Sequence, residues 1–148
     1  MQISKFLLIL TLALTTFSLQ SQHKLDTLLL NFDYENRKEM KISSPQIVQL
    51  LQENKAVLVD IRFAEEQQAW QMDYALKMPL STLPLEHEKL PNDKLIVTAC
   101  PHKDRAIIAM VYLKSKGYKV AYLKDGLLGL ATYLRGDEAK SFIENYKN

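Results

Sequence analysis

The sequence predicts an α/β protein of three layers, in which helices cover both faces of a mostly parallel sheet of about five strands. Short strand-like segments alternate with segments of helical periodicity, which is the pattern of β-α-β units. Residues 56–62 are β-branched and apolar through their middle, as expected of a parallel strand covered on both faces. The chain has 148 residues, 47% of them hydrophobic, which fits one domain with its own core.

Local signals place the elements of the first half. Ser43-Ser44-Pro45 predicts a helix start, because a Ser N-cap precedes a proline at the first helical position, and apolar residues recur at helical spacing up to Asn54. Pro79 stops a short strand. Residues 22–40 show no clear pattern before a possible edge strand at their end. The predicted strands are 39–42, 56–62, 75–79, 94–99 and 120–123, and the first helices are 45–54, 63–71 and one or two turns within 81–90.

The second half is read in the same way. Residues 104–116 form a helix that is apolar almost all round from Ala106 to Leu113, which predicts burial, and Gly117 ends it. A turn at 124–126 leads to a helix over 127–134. Arg135-Gly136-Asp137 breaks that helix, and a last helix over 138–146 is expected to turn Phe142, Ile143 and Tyr146 inward.

The first 21 residues have the layout of a secretory signal peptide. Lys5 precedes an apolar run of about a dozen residues, and small polar residues follow. An uncleaved anchor is the alternative, although the run is short for a membrane span. We expect cleavage after Ser21, give or take two residues, and an exported, periplasmic or secreted protein. The predicted organisation is a signal peptide (1–21), an N-terminal extension (22–40), the main domain (41–134) and a C-terminal helical extension (135–148).

Charge excludes some partners. The whole chain has 19 basic and 17 acidic residues, and the signal segment contains one Lys and no acid, so the mature protein is near neutral. No basic block with interleaved aromatic residues is present, so we expect no nucleic-acid partner. We also expect no membrane partner once the signal is removed.

Cys100 is the only cysteine in the chain, and it lies where a strand ends. It cannot form an internal disulfide, so it is either a reactive thiol or a small buried hydrophobe. A loop feeding a helix N-terminus directs backbone N–H groups at one spot and favours an anion there. We therefore expect the pKa of Cys100 to be lowered, with Lys103 and Arg105 adding positive charge and Asp104 serving the helix start.

Residues 41–134 resemble a single rhodanese domain. Cys100-Pro101-His102-Lys103-Asp104-Arg105 matches the Cys-x4-Arg loop of that family, and the strand ending in Asp60-Ile61-Arg62 matches its upstream Asp-x-Arg motif. Gly126 matches the glycine turn after the last strand. The departures from the family include Lys103, which stands where Gly is frequent in the loop, and Trp70-Gln71, which replaces a usual Gly-His pair.

The resemblance implies sulfur transfer through a persulfide on Cys100. The donor would be a small compound such as thiosulfate, and the acceptor would be cyanide, a thiol or a protein, with no metal and no organic cofactor. The implied roles are catalysis for Cys100, substrate binding for Pro101, His102, Lys103, Asp104 and Arg105, and support for Asp60 and Arg62. Arg105 could contact substrate or bridge to Glu65 or Glu66 and brace the loop.

Two other classes of function remain open. One is a non-enzymatic carrier or binding module for sulfane sulfur, which hands its persulfide to a protein. The other is a cysteine-dependent phosphatase or arsenate reductase. That class shares the fold but uses Cys-x5-Arg to wrap a tetrahedral oxyanion, and the loop here is one residue shorter.

Overall fold

A five-stranded parallel sheet lies at the centre of the computed structural model, which describes residues 24–146. The strand order is β1-β5-β4-β2-β3, and every pairing is parallel. The predicted fold class is confirmed. The strands are β1 (Lys41–Ile42), β2 (Ala56–Asp60), β3 (Leu76–Lys77), β4 (Leu95–Ala99) and β5 (Val120–Leu123).

Seven helices connect or extend these strands within the unit that begins at Tyr34. A separate unit ends at Asp33, and its described part contains a helix over residues 24–30. The predicted signal peptide lies outside the described residues. The helices are α1 (Tyr34–Glu39), α2 (Ser44–Gln52), α3 (Ala64–Ala69), α4 (Leu83–Glu86), α5 (Asp104–Ser115), α6 (Gly126–Tyr133) and α7 (Asp137–Asn145), with a 3-10 turn at His87–Lys89.

The two faces of the sheet bury different side chains, because successive residues of a strand point to opposite sides. In β4, Val97 and Ala99 join a cluster with α2, α6 and α7, whereas Ile96 joins a cluster with α5. Cys100 continues this alternation and belongs to the α5 cluster. The pleat of the central strand therefore places the thiol under the helix that follows it.

Two local expectations were wrong, and one helix was missed. Ile108 of α5 is 58% exposed, because this helix buries one face, through Ala106, Ala109, Met110 and Leu113, and not its whole circumference. Ile143 is 63% exposed, since Phe142 and Tyr146, four residues apart, share the inward face of α7. Helix α1 was not predicted, and it buries none of its residues, so it shows no amphipathic pattern.

A buried ion pair lies at the carboxyl end of β2. Arg62 is fully buried, and its guanidinium donates to both carboxylate oxygens of Asp60, with Nη2 2.6 Å from Oδ2. The same guanidinium donates to the carbonyl oxygens of Trp70 (2.8 Å) and Glu66 (3.4 Å) and stacks on the Trp70 ring. Charges are tolerated in a core only when they are paired and hydrogen-bonded in this way.

We predict that Asp60→Ala lowers the free energy of unfolding by about 3–5 kcal/mol, because it leaves an unpaired guanidinium in the core. The double variant Asp60→Ala with Arg62→Met should recover part of that loss, since no buried charge remains. Urea unfolding followed by circular dichroism measures both. A double variant less stable than Asp60→Ala would contradict this account.

Candidate active site

Cys100 follows β4 directly and starts the loop that leads into α5 at Asp104. Cys100 is fully buried, with 0% of its surface exposed to solvent. The carboxyl end of β2 lies on one side, with Asp60 paired in register to Ala99. The turn after β5 lies on the other side, so the loop is held between two neighbouring connections, as expected for ligand sites at the carboxyl ends of parallel strands.

The sulfur of Cys100 receives opposing influences. The backbone N–H groups of Ala106, His102 and Arg105 donate towards it and favour the thiolate. Burial disfavours the charged form more strongly, and the Asp104 carboxylate adds to this, so the pKa of Cys100 is raised above its ordinary value. The expectation of a lowered pKa was therefore wrong. Loop amides were correctly anticipated as anion donors, but burial outweighs them.

Asp104 contacts the sulfur itself. Its Oδ1 accepts a hydrogen bond from Cys100 Sγ at 3.6 Å. The backbone N–H of Arg105 also donates to this carboxylate and holds the pKa of Asp104 below its usual value. Asp104 is the first residue of α5, so one carboxylate lies at the helix start, as expected, and also contacts the Cys100 sulfur.

The Arg105 side chain is paired with Glu66 of α3. Its Nη1 lies 2.5 Å from Oε2 and its Nη2 lies 2.9 Å from Oε1, a bidentate geometry. Glu66 also accepts from the backbone N–H of Phe63. The Arg105 hydrogen bonds lower the pKa of Glu66 to about 2, although burial acts the other way. Of the two roles considered for Arg105, the geometry supports the bridge to Glu66, which braces the loop.

Asp60 and Arg62 stand behind this brace rather than at the sulfur. The Arg62 contacts to the carbonyl oxygens of Glu66 and Trp70 tie down the end of α3. Gln67 adds a second tie, since its Nε2 donates to the carbonyl oxygens of Asp60 (2.9 Å) and Arg62 (3.1 Å). Helix α3 is therefore fixed to β2, and it presents Glu66 to Arg105.

The turn after β5 packs against the other side of the loop. The N–H of Leu127 donates to the carbonyl oxygen of Cys100 at 2.8 Å, and that of Leu128 to Pro101 at 3.3 Å. Gly126 has φ +66°, and a Cβ there would lie 2.3 Å from the carbonyl oxygens of Pro101 and His102. Glycine is required here for space as well as for conformation.

Several supporting residues were not predicted as part of the site. Gly126 was noticed as a turn glycine, but nothing in the sequence shows which backbone it touches. Thr98 is buried and its hydroxyl donates to the carbonyl oxygen of Ala106 at 2.8 Å, joining β4 to α5. Asp125 accepts from the N–H (2.7 Å) and hydroxyl (3.0 Å) of Ser44 and so ties the turn to the start of α2.

Beside Asp104, which is itself exposed, the loop exposes Lys103 and His102 and partly exposes Pro101. Lys103 has φ −155°, outside the left-handed region, so the backbone does not require the glycine that is frequent there. His102 borders an open cleft of about 590 Å³ between the start of α2 and α6. These three side chains are thus placed to meet whatever approaches the loop from solvent.

The described residues contain neither a membrane-spanning helix nor a cluster of metal-ligating side chains. Between residues 24 and 146, no helix combines the length and the apolar character that crossing a bilayer requires. Over that same part of the chain, no three His, Cys, Asp or Glu side chains are grouped to hold a metal ion.

Comparisons with known proteins agree with this architecture. The family model of the rhodanese-like domain matches residues 43–132. A sulfurtransferase of Allochromatium vinosum is 30% identical over 95 residues, covering 63% of this chain and 89% of the relative. A rhodanese-related protein of Thermoplasma volcanium shares the fold with a TM-score of 0.57, 18% identity and coverage of 62% and 90%.

A human single-domain sulfurtransferase has a TM-score of 0.57 at 23% identity, covering 63% of this chain and 96% of its own. At such identities the two solved structures bear on the fold alone. The family model and the bacterial relative show more, and the chain belongs to the rhodanese-like domain family. Membership and the named relative support a sulfurtransferase in general terms.

We predict that Gly126→Ala destabilises the protein more than Gly136→Ala. Both glycines have similar positive φ, +66° and +58°, but a Cβ at Gly136 meets nothing within 4 Å. At either position the positive φ itself strains an L side chain. The clash with the loop should add to this only at Gly126, and it should also change the rate at which iodoacetamide alkylates Cys100. Equal losses of stability in urea unfolding, with unchanged alkylation, would contradict the contact.

We predict that Glu66→Gln lowers the free energy of unfolding by up to about 1 kcal/mol at pH 7, because the ion pair is partly exposed. The pKa of Glu66 is depressed in the folded protein, so its contribution is present above the ordinary Glu value of about 4.3 and is lost as pH falls towards about 2. The difference between wild type and variant should therefore shrink below about pH 4. Glu65→Gln on the same helix is the control and should show no such pH dependence in urea unfolding.

Proposed function

We propose that this protein is a sulfurtransferase in which Cys100 accepts sulfane sulfur as a persulfide and passes it to a thiol or to cyanide. The observation that carries the proposal is the position of the Cys100 sulfur at the end of β4, beside the start of α5, where the backbone N–H groups of His102, Arg105 and Ala106 favour its thiolate. Preorganised amides aimed at one sulfur can stabilise negative charge on it or on a second sulfur bound to it.

The first half-reaction proposed is displacement at the donor. The Cys100 thiolate attacks the outer sulfur of a donor such as thiosulfate, the sulfur–sulfur bond of the donor breaks, and sulfite leaves with the electron pair. The second half-reaction reverses the roles. An acceptor thiolate or cyanide attacks the outer sulfur of the persulfide, and the Cys100 thiolate is released. Two steps through a covalent intermediate predict ping-pong kinetics.

The loop itself favours sulfur over phosphate. It is a Cys-x4-Arg loop, one residue shorter than Cys-x5-Arg, and the Arg105 guanidinium is held by Glu66. A phosphatase needs cationic and amide donors around a tetrahedral anion with three charged oxygens, and a shorter loop leaves less room for it. The described geometry therefore supports transfer of a single sulfur atom better than phosphoryl chemistry.

The raised pKa of Cys100 determines the protonation state from which the proposed reaction starts. At neutral pH most Cys100 side chains are protonated and buried, so the thiolate that attacks the donor is a minor species. We therefore propose that the rate of sulfur uptake rises with pH through the neutral range. The rise reflects ionisation of Cys100, because the thiolate is the reactive form.

We predict that thiosulfate adds the mass of one sulfur atom to the purified protein and that Cys100→Ser abolishes the addition. Intact-mass spectrometry measures the adduct, and subsequent cyanide should remove it with release of thiocyanate. No adduct in wild type, under conditions where iodoacetamide still alkylates Cys100, would count against sulfur transfer. Cleavage of an aryl phosphate that depends on Cys100 would favour the phosphatase instead.

The same experiment distinguishes a carrier from an enzyme. A carrier would hold a stable persulfide but turn over poorly with small thiols, whereas an enzyme would return to the unmodified mass with each acceptor.

We also propose export, on the evidence of residues 1–21 alone. Intact mass of the protein isolated from its native compartment would report the N-terminus, and a chain that still begins at Met1 would contradict cleavage after Ser21.

A further inference from the structure

The Cys100 loop and its brace carry two positive and two negative side chains, and they are not equivalent. The guanidinium of Arg105 is held by both oxygens of Glu66. The ammonium of Lys103 belongs to an exposed side chain at the N-cap of α5. Asp104 is exposed as well, but its carboxylate accepts a hydrogen bond from the sulfur at 3.6 Å. Of these four groups, the one in direct contact with the sulfur is therefore negative.

This distribution of charge is the opposite of the positive excess that the loop sequence implies. Lys103 and Arg105 were expected to attract an anionic donor. In the structure their charges are matched by those of Glu66 and Asp104, so the loop has no formal excess of positive charge before Cys100 ionises. A donor dianion must then approach an ionised sulfur and an ionised carboxylate together, and such repulsion falls off only slowly over a few ångströms.

We propose that Asp104 is a specificity-determining residue that disfavours dianionic donors such as thiosulfate and favours hydropersulfides. The inference rests on the proposed sulfur transfer and names the donor class that the site selects. A hydropersulfide brings at most one charge at its reacting group, and other charges of its thiol part lie several bonds away. The Asp104 carboxylate penalises it less than it penalises thiosulfate.

The chemical step is balanced for this donor without any further reagent. The Cys100 thiolate attacks the outer sulfur of R–S–SH and forms the new sulfur–sulfur bond. The bond between the two donor sulfurs breaks, and R–S⁻ leaves with its electron pair. The proton stays on the transferred sulfur, the thiol proton lost earlier by Cys100 passes through solvent to the leaving thiolate, and sulfane sulfur keeps its oxidation level.

The test compares two donors on one protein. The second-order rate constant for sulfur loading of Cys100 is measured by intact mass with thiosulfate and with glutathione hydropersulfide. The ratio of the two constants is the selectivity. Asp104→Asn keeps the side chain's size and its ability to accept the Arg105 N–H but removes the charge. If Asp104→Asn also increases the fraction of Cys100 that is ionised, the rate constants for both donors rise by the same factor, and their ratio does not change.

We expect Asp104→Asn to raise the selectivity for thiosulfate about tenfold, from the loss of repulsion between one charge and a dianion a few ångströms away. Asp104→Glu keeps the charge and should remain near wild type. Asp93→Asn is the matched control, because this exposed Asp precedes β4 at the opposite end of the strand from Cys100. It should leave the selectivity unchanged.

The outcomes separate the two proposals. Loading of Cys100 with a selectivity that changes less than about twofold in Asp104→Asn, or equally in Asp93→Asn, overturns the role of Asp104 and leaves sulfur transfer standing. If neither donor loads Cys100 in wild type or in Asp104→Asn, sulfur transfer is overturned and the donor preference with it. Cys100→Ser must remain unmodified throughout, since an adduct there would place the sulfur elsewhere.

Discussion

The buried ion pair between Asp60 and Arg62 fixes one whole side of the Cys100 loop. Arg62 is locked by the carboxylate at the end of β2, and its remaining donors hold the carbonyl oxygens at the end of α3. Because these hydrogen bonds tie α3 to β2, Glu66 is placed to meet Arg105 with both oxygens. The buried pair thus helps to set the position of Arg105. Such a pair adds little net stability but makes one arrangement of the polar groups far better than its alternatives.

The opposite side of the loop is held by backbone rather than charge. Gly126 lets the turn after β5 approach so closely that Leu127 and Leu128 can donate to the loop carbonyl groups. The two supports differ in their response to conditions. Screening by salt weakens the exposed part of the Arg105–Glu66 pair, whereas the amide contacts at Gly126 are insensitive to ionic strength. The loop therefore keeps one anchor under any solution condition.

The sequence allowed the sheet, the strand-to-helix position of Cys100 and the direction of its loop amides to be predicted, because each depends on local periodicity or on a neighbour in the chain. The sign of the Cys100 pKa shift could not be predicted in this way. It depends on how deeply the sulfur is buried by side chains distant in sequence. The contact at Gly126 was missed for the same reason. Ile108 and Ile143 were misplaced because an apolar residue one position off a helix face looks like part of that face.

The complete burial of Cys100 has a kinetic consequence. A reagent such as iodoacetamide can reach the sulfur only in conformations that expose it, and it can react only with the fraction whose thiol has ionised. The observed rate constant is the intrinsic one multiplied by both fractions. A conformation that exposes the sulfur also hydrates it, and hydration favours the thiolate, so exposure and ionisation rise together.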